Sequence, residues 1–291
     1  MYTILKMKNC LLLVSSFIFT TIFSQKIDNT VSLRNINSNA YFRIHYENDY
    51  FAAYDQYYTQ GINLEWVNPI LKSNPINIVL LKLPQSTLKY GLAFEHNGYT
   101  PTSIRSNSIL YNDRPFAAVA LLKSFSIATD TMHKSRLSAG LSLGVLGQAA
   151  LGKEMQATIH GWIGDKQPLG WQYQIQNDLV VNYELNHEKL LLKYRNFFSL
   201  NTNLQLKAGT ISDKVQAGFT FTLGKFNSPL VSTIHRNNGL QWYFYSQPLV
   251  NLVGYDATMQ GGLFNRNLPY TKGANEVERW VVQNNFGAVF T

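Results

Sequence analysis

Cysteine, long apolar runs and clustered charge are scarce in this chain of 291 residues, and each scarcity excludes a class of protein. The single cysteine, Cys10, precedes an apolar run rather than following it, as a lipoprotein cysteine would. The rest of the chain can therefore form neither disulfides nor thiolate metal sites. Beyond the first residues no apolar stretch reaches the ~18 residues of a transmembrane helix. Lys and Arg are scattered without a basic run, so no nucleic-acid partner is expected.

The first residues have the layout of a secretory signal peptide. Lys6 and Lys8 form a short positive region before a nearly continuous apolar run at 11–23. We predict a signal peptide at 1–24 and one mature domain at 25–291; an N-terminal membrane anchor is the alternative. Loss of the two lysines lowers the formal charge from +8 to +6. Diffuse positive charge of this kind suits an anionic membrane surface such as lipopolysaccharide.

Apolar and polar residues alternate along most of the mature chain, which is the period of a β-strand with two different faces. In the first segment Phe42, Ile44 and Tyr46 alternate with Arg43 and His45. Further segments lie around 62–66, 88–95, 136–145, 180–185, 190–197, 203–209, 215–223, 241–245 and 280–290. Alternation alone would also fit a soluble sandwich. The signal peptide, the abundant aromatic residues and the final strand ending in Phe290-Thr291 favour a membrane barrel.

The predicted fold class is therefore all-β, a transmembrane antiparallel β-barrel of about 12 strands. We place it as a monomer in the outer-membrane lipid bilayer of a Gram-negative bacterium. One segment departs from the alternation: Leu151, Met155 and Ile159 recur every four residues, and Gln156 and His160 share another face. This spacing predicts a short helix at 151–163, inserted in an extracellular loop between the fifth and sixth strands.

Strand direction places every unusual polar motif at one end of the predicted barrel. Asn48 and Asp49 end the first strand, Thr59 begins the second, and the helix joins the fifth to the sixth. Alternation also places Asp49 and Thr59 on the inner side. The long segment at 68–85 falls at the opposite, periplasmic end. Polar groups gathered at the extracellular rim would serve an enzyme acting on outer-leaflet lipid.

The order and spacing of these motifs resemble the lipid A 3′-O-deacylase family of outer-membrane barrels, and the resemblance covers nearly the whole mature chain. The matching pieces are Glu47-Asn48-Asp49; Asp55 with Tyr58-Thr59 and Gly61; Tyr99-Thr100-Pro101; Asp113-Arg114-Pro115-Phe116; Gly152-Lys153-Glu154-Met155-Gln156 with His160; Pro168; Gly170-Trp171; Gln174; and Gln260-Gly261-Gly262-Leu263-Phe264-Asn265.

The resemblance implies a twelve-stranded barrel and Ca²⁺-dependent hydrolysis of the ester-linked 3′-acyl(oxyacyl) chain of lipid A. It assigns the catalytic histidine to His160, with Gln156 and Thr59 in the same site, and Asn48 and Asp49 at the metal. Two positions depart from the family. Gln60 stands where asparagine is common, and the site lysine after Tyr99-Thr100-Pro101 has no lysine here, so Arg105 is the nearest cation.

The chemistry of these residue types agrees with the implied roles. Ester hydrolysis needs a base to activate water, and histidine suits that role near neutral pH. Ca²⁺ takes oxygen ligands and can stabilise an oxyanion. Glu154 falls six residues from His160 and is expected to be structural. An outer-membrane phospholipase A and a non-catalytic barrel, as a pore or adhesin, remain as alternatives.

A G-x-S-x-G pattern at Gly140-Leu141-Ser142-Leu143-Gly144 matches the motif of serine hydrolases. That motif needs a sharp turn from strand to helix. Here it lies inside an alternating segment, so we predict an ordinary strand.

Overall fold

The computed structural model describes residues 38–48, 57–228, 230–231, 239–265 and 269–290, with only the backbone of Asn48. These residues form one antiparallel sheet in which each strand pairs with the next along the chain. The strands are β1 (Tyr41–Asn48), β2 (Gln60–Val67), β3 (Thr87–Tyr99), β4 (Ala117–Asp130), β5 (Ser135–Leu146), β6 (Asp178–Tyr194), β7 (Phe198–Gly209), β8 (Ser212–Lys225), β9 (Trp242–Asp256) and β10 (Trp280–Phe290). The helices are α1 (Gly152–Ile163) and α2 (Ala257–Gln260).

The described sheet has ten strands, fewer than the twelve or so expected. The segments around 180–185 and 190–197 belong to a single strand, β6, and a shift of register between Leu190 and Leu192 does not end it. The count of about twelve therefore stays a prediction for the whole chain. The predicted signal peptide lies outside the described residues. None of the helices in the described part of the chain is long and apolar enough to cross a membrane.

The two faces of the sheet differ in polarity, as the alternation predicted. On the outer face of β1, Phe42, Ile44 and Tyr46 are 63%, 66% and 51% exposed. On the inner face, Arg43 Nη2 lies 2.6 Å from Glu65 Oε2. Apolar side chains thus point away from the sheet while charged ones pair on the opposite side. This is the pattern of a sheet whose outer face contacts lipid.

The inner face is concave and carries paired charges. Residues from β3 through β10 line one cavity of about 580 Å³, so the sheet curls until distant strands face the same space. Lys123 Nζ lies 2.5 Å from Glu95 Oε1 and 3.3 Å from Glu184 Oε2. Ser142 also lines this cavity from the middle of β5. No strand-to-helix turn occurs there, so the G-x-S-x-G pattern is an ordinary strand, as expected.

Two segments lie against the outer face. We call residues 147–171 the helix cover and residues 68–86 the strap. Ala118 contacts the helix cover at Gly152 and faces outward, because its neighbour Val119 lines the inner cavity. Ser124 binds the strap and faces outward for the same reason, since Lys123 beside it lines the cavity. The helix cover follows β5 at the end where the odd-numbered strands finish, and the predicted polar motifs gather at that end.

Candidate functional site

Helix α1 covers the segment that the four-residue spacing predicted. Leu151 precedes it in the left-handed conformation, with φ 59°, and Gly164 ends it with φ 71°. The Gly164 N–H donates to the carbonyl of His160, which satisfies one carbonyl of the last turn. Glycine tolerates this left-handed conformation without steric cost. The helix therefore ends one turn after His160, the second of the two predicted site residues that it carries.

The polar side of α1, rather than the apolar one, packs on the sheet. Its buried residues are Gly152, Gln156 and His160, spaced by one turn. Trp162 is 82% exposed and Ile163 is 52% exposed. A helix on a water-soluble protein buries its apolar side. The inverted arrangement fits a helix with lipid outside it and a polar site beneath it.

Gln156 is the centre of the buried network under α1. Its side chain is 1% exposed, and its Nε2 donates to Thr59 Oγ1 at 3.3 Å. Its Oε1 accepts from Trp171 Nε1 at 2.7 Å. The Trp171 ring lies 4.9 Å from that of Phe116 and packs in a cluster with Ile104 and Ala118 on the outer face. Two of the predicted site residues, Thr59 and Gln156, are thus in direct contact.

His160 is 6% exposed and has a defined orientation. Its Nδ1 lies 2.7 Å from the carbonyl oxygen of Lys166 and 3.9 Å from Asp165 Oδ2. A carbonyl can only accept, so Nδ1 carries the hydrogen in this pair. In the neutral ring the lone pair then lies on Nε2, and Nε2 is the atom that can accept a proton. The segment after α1 thus fixes the tautomer that a general base needs.

Thr59 differs from its predicted position. Alternation assigned its side chain to the inner face, but its hydroxyl contacts Gln156 on the outer side. The regular ladder of β2 begins only at Gln60, and Tyr57 just before it has φ 67°. The period of two therefore does not extend to Thr59. Tyr58 takes the inner position instead and donates to Glu47 Oε2 at 2.6 Å.

The two predicted metal ligands lie at the limit of the described chain. Asn48 pairs with Gln60 in the ladder of β1 and β2, one residue from Thr59. Asp49 lies outside the described residues, so its approach to His160 stays a prediction. Glu47, which precedes them, is held on the inner side by Tyr58 and by His45 Nε2 at 2.8 Å. It is therefore not placed to join a site under α1.

The groups around Asn48 fit a calcium ion by their chemistry. Thr59 offers a hydroxyl oxygen, and Gln60 carries a buried side-chain amide with a carbonyl oxygen. These are oxygen-bearing side chains of the hard-ligand class that Ca²⁺ takes. The described residues contain no cluster of three or more His, Cys, Asp or Glu side chains that could hold a metal. A calcium site here would thus depend on Asn48, Asp49, neighbouring oxygens and water.

Arg105 is exposed in the connection between β3 and β4. Its neighbour Ile104 accepts from the Leu169 N–H at 2.6 Å, which brings this connection against the helix cover. The Arg105 guanidinium itself has no described contact with His160 or Gln156, so its catalytic role stays a prediction. Arg114 is the half-buried arginine of this connection, and its guanidinium lies 4.4 Å from the centre of the Tyr99 ring. Burial lowers the pKa of its guanidinium, and the nearby Asp256 carboxylate opposes that shift.

Sequence reasoning gave no role to three residues of the helix cover. Trp171 belonged to the family motif, yet its bond to Gln156 depends on the fold of the whole segment. Asp165 and Lys166 orient His160, and one of them acts through a backbone carbonyl that any residue could supply. Only the position of Asp165 just after the terminal Gly164 could have suggested its part.

The fold and this helix define the class: a curled antiparallel β-sheet protein with an apolar outer face, against which a helix packs with a buried histidine. The chain belongs to the LpxR family, because the family model described as "Outer membrane protein LpxR" matches residues 11–291. The protein is therefore an outer-membrane ester hydrolase of the lipid A 3′-O-deacylase family, as the motifs indicated.

One solved structure supports the same fold. LpxR from Salmonella typhimurium is 19% identical, and the match covers 84% of this chain and 80% of that one with a TM-score of 0.63. No curated protein sequence matches this chain.

Proposed function

We propose that this protein hydrolyses the ester-linked 3′-acyl or 3′-acyloxyacyl chain of lipid A at the site between α1 and the outer face of the sheet. We further propose that the curled sheet closes into a membrane barrel. The observation that carries the function is the buried group of His160, Gln156 and Thr59 on the same face as the exposed apolar side chains. An esterase at that place would meet its substrate in the membrane, without passing it through the inner cavity.

The proposed reaction uses His160 as general base. Its Nε2 takes a proton from water while the water oxygen bonds to the ester carbonyl carbon, giving a tetrahedral oxyanion. The bond between the carbonyl carbon and the 3′-oxygen then breaks as the oxyanion collapses, and the proton passes from His160 to the departing 3′-oxygen. The products are a fatty acid and a free 3′-hydroxyl group. Lys166 and Asp165 hold the ring so that Nε2 faces the reacting atoms throughout.

Gln156 and Thr59 act as positioning residues in this proposal. Gln156 bridges the indole of Trp171 to the Thr59 hydroxyl, and it lies one turn from His160 on the same helix side. A shift of Gln156 would therefore also shift α1, and with it the His160 ring, relative to the strands beneath the helix. Asn48 and Asp49 would hold Ca²⁺, which supplies positive charge to stabilise the oxyanion. Arg105 would be the further cation at the rim.

The substrate class follows from the surroundings of the site. Trp162 and Ile163 on α1, and Leu179 near the start of β6, present apolar surface at the same end. Acyl chains could remain among such side chains while the ester reaches the buried polar group. The chain as a whole carries a positive formal charge, which suits the phosphates of lipid A.

The test is mass spectrometry of lipid A from a Gram-negative host that produces the protein. We expect loss of the 3′-linked acyl chain with the wild type and with Glu154→Ala, an exposed position on the same helix. We expect intact lipid A with His160→Ala. Unchanged lipid A from correctly inserted wild-type protein in the presence of calcium would refute the proposal. Release of fatty acid from phosphatidylethanolamine alone would instead identify a phospholipase.

A further inference from the structure

The strap is the second segment on the outer face, and the site does not involve it. It leaves β2 after Val67 and contains two 3₁₀ turns, Pro69–Ser73 and Pro75–Ile78. Asn74 Nδ2 donates to Ser124 Oγ on β4 at 3.1 Å. The Tyr183 hydroxyl on β6 donates to the Val79 carbonyl at 2.9 Å and accepts from the Leu81 N–H at 3.0 Å. The strap thus crosses the outside of the sheet from β3 to β6.

The wall beneath the strap is polar and small where the rest of the outer face is apolar. Ser124 is 4% exposed and Ser126 is 0% exposed, although both occupy outer positions of β4. Leu122, the preceding outer residue of the same strand, is 58% exposed. A serine hydroxyl facing lipid directly would lack a hydrogen-bond partner, and Asn74 of the strap supplies one to Ser124 Oγ, while Ser126 Oγ has none among the described residues. The strap covers Ser124 and is the outermost layer over this part of β4.

The outward side of the strap is apolar. Ile70 is 69% exposed, Ile78 is 87%, Val79 is 56% and Leu81 is 54%. Leu80, which lies between Val79 and Leu81, is 3% exposed and points to the wall. A connecting loop in water would not gather its largest apolar side chains on the exposed side.

Many backbone groups of the strap are hydrogen-bonded within the protein rather than left to solvent. Asn68 and Asn74 accept from the N–H groups of Ile70 and Ile76, and Asn77 Nδ2 donates to the carbonyls of Leu71 and Lys72. Lys82 Nζ donates to the Asn77 carbonyl at 2.6 Å. Irregular backbone at membrane depth is tolerated only when its polar groups are satisfied by protein. Here the strap's own side chains supply several of those partners, and backbone groups and Tyr183 supply others.

From these four observations we infer that the strap is a membrane-embedded segment whose exposed apolar side chains bind phospholipid. It would lie in the leaflet nearer the end of the sheet opposite α1. Lys72 and Lys82 are exposed, and residues 68–86 contain no Asp or Glu, so the strap is complementary to phosphate headgroups. This inference rests on the membrane setting of the proposed function, and it gives the long segment at the predicted periplasmic end a position in the bilayer.

The test uses a bimane label on single-cysteine versions of the full chain, each with Cys10→Ser. The variants are Ile78→Cys on the strap, Leu143→Cys on the outer face of β5, and Thr131→Cys in the exposed turn after β4. Each is reconstituted in vesicles of phosphatidylethanolamine and phosphatidylglycerol, with or without brominated acyl chains. We expect brominated lipid to quench the label at 78 as strongly as at 143 and to leave the label at 131 unchanged.

Two results would overturn the inference and are distinguishable. If the label at 143 is quenched and the label at 78 behaves like that at 131, the strap lies in water while the membrane fold and the proposed function stand. If neither 78 nor 143 is quenched, the outer face does not meet lipid, and the setting of the proposed site fails as well.

Discussion

The helix cover and the strap lie on the same face of one sheet, and both bury polar side chains while exposing apolar ones. They differ in what the buried polar groups do. In the strap, Asn68, Asn74 and Asn77 satisfy the strap's own backbone. In the helix cover, Gln156 joins Trp171 of the same segment to Thr59 of another, and His160 is held through its Nδ1 by the carbonyl of Lys166. Inverted polarity therefore indicates lipid for both segments, and the histidine held in one tautomer beside the Gln156 network distinguishes the helix cover as the candidate site.

The largest expected effect comes from separating α1 from the wall. A Cβ on Gly152 would lie 2.4 Å from the Ala118 Cβ and 2.7 Å from the Trp171 ring. Gly152→Val should shift the helix, and because misplacement of catalytic groups by about 1 Å can cost 10²-fold, we expect kcat/KM to fall about 10²-fold. The measurement is the initial rate of lipid A deacylation in detergent micelles.

Gly161→Ala is the matched control on the same helix. The nearest atom to its added Cβ is 3.9 Å away, so the helix can stay in place. Replacing a helical glycine by alanine should add about 0.5–1 kcal/mol of stability and leave the rate unchanged. Equal losses from the two variants would contradict the close-packing explanation.

The next effect concerns the network under the helix. Gln156→Leu leaves the indole N–H of Trp171 and the hydroxyl of Thr59 without this partner. We expect a loss of about 1–3 kcal/mol in the free energy of unfolding, because a buried group left unpaired costs that much. We expect the rate to fall about tenfold as His160 loses its support. Adding Trp171→Phe should recover stability without recovering the rate; recovery of both would show that Gln156 is only structural.

A smaller effect is expected at Thr59. Its hydroxyl accepts one hydrogen bond of 3.3 Å from Gln156, and such a bond contributes about 0.5–1.5 kcal/mol. Thr59→Val should lower the deacylation rate several-fold, and Thr59→Ser, which retains the hydroxyl, should restore most of it. Equal rates for the valine and serine variants would show that the Thr59 hydroxyl does not contribute to the reaction.

The smallest effect on activity is expected in the strap. A strap variant that loses stability without losing activity would separate the role of the strap from that of the helix cover. Asn74→Ala removes the cap of a 3₁₀ turn and the bond to Ser124, so the free energy of unfolding should fall by about 0.5–2 kcal/mol. The deacylation rate of the folded protein should not change. Lys72→Ala, exposed on the same strap, should change neither quantity. A large loss of rate with Asn74→Ala would mean that the two covers are coupled.

Local pattern predicted the strands and the helix well, because both depend on periodicity. The exposed side chains of β1 and the bounds of α1 follow directly from spacings of two and four residues. The pattern failed where the period is interrupted. It divided β6 into two segments, and it carried the inner face of β2 one residue too far, to Thr59. The backbone at Tyr57 ends the alternation, and a single sequence gives no sign of that.

The sequence by itself determined an antiparallel sheet with apolar and polar faces, a helix with Gln156 and His160 on one side, and membership of an esterase family. Only the tertiary structure decided that this helix lies outside the sheet, that Trp171 and Thr59 share Gln156, and that the strap covers Ser124 of β4. Alternation specifies which side chains share a face. Which segment covers that face depends on contacts between residues up to about a hundred positions apart, such as Thr59 with Gln156 and Leu81 with Tyr183, and no local pattern encodes those contacts.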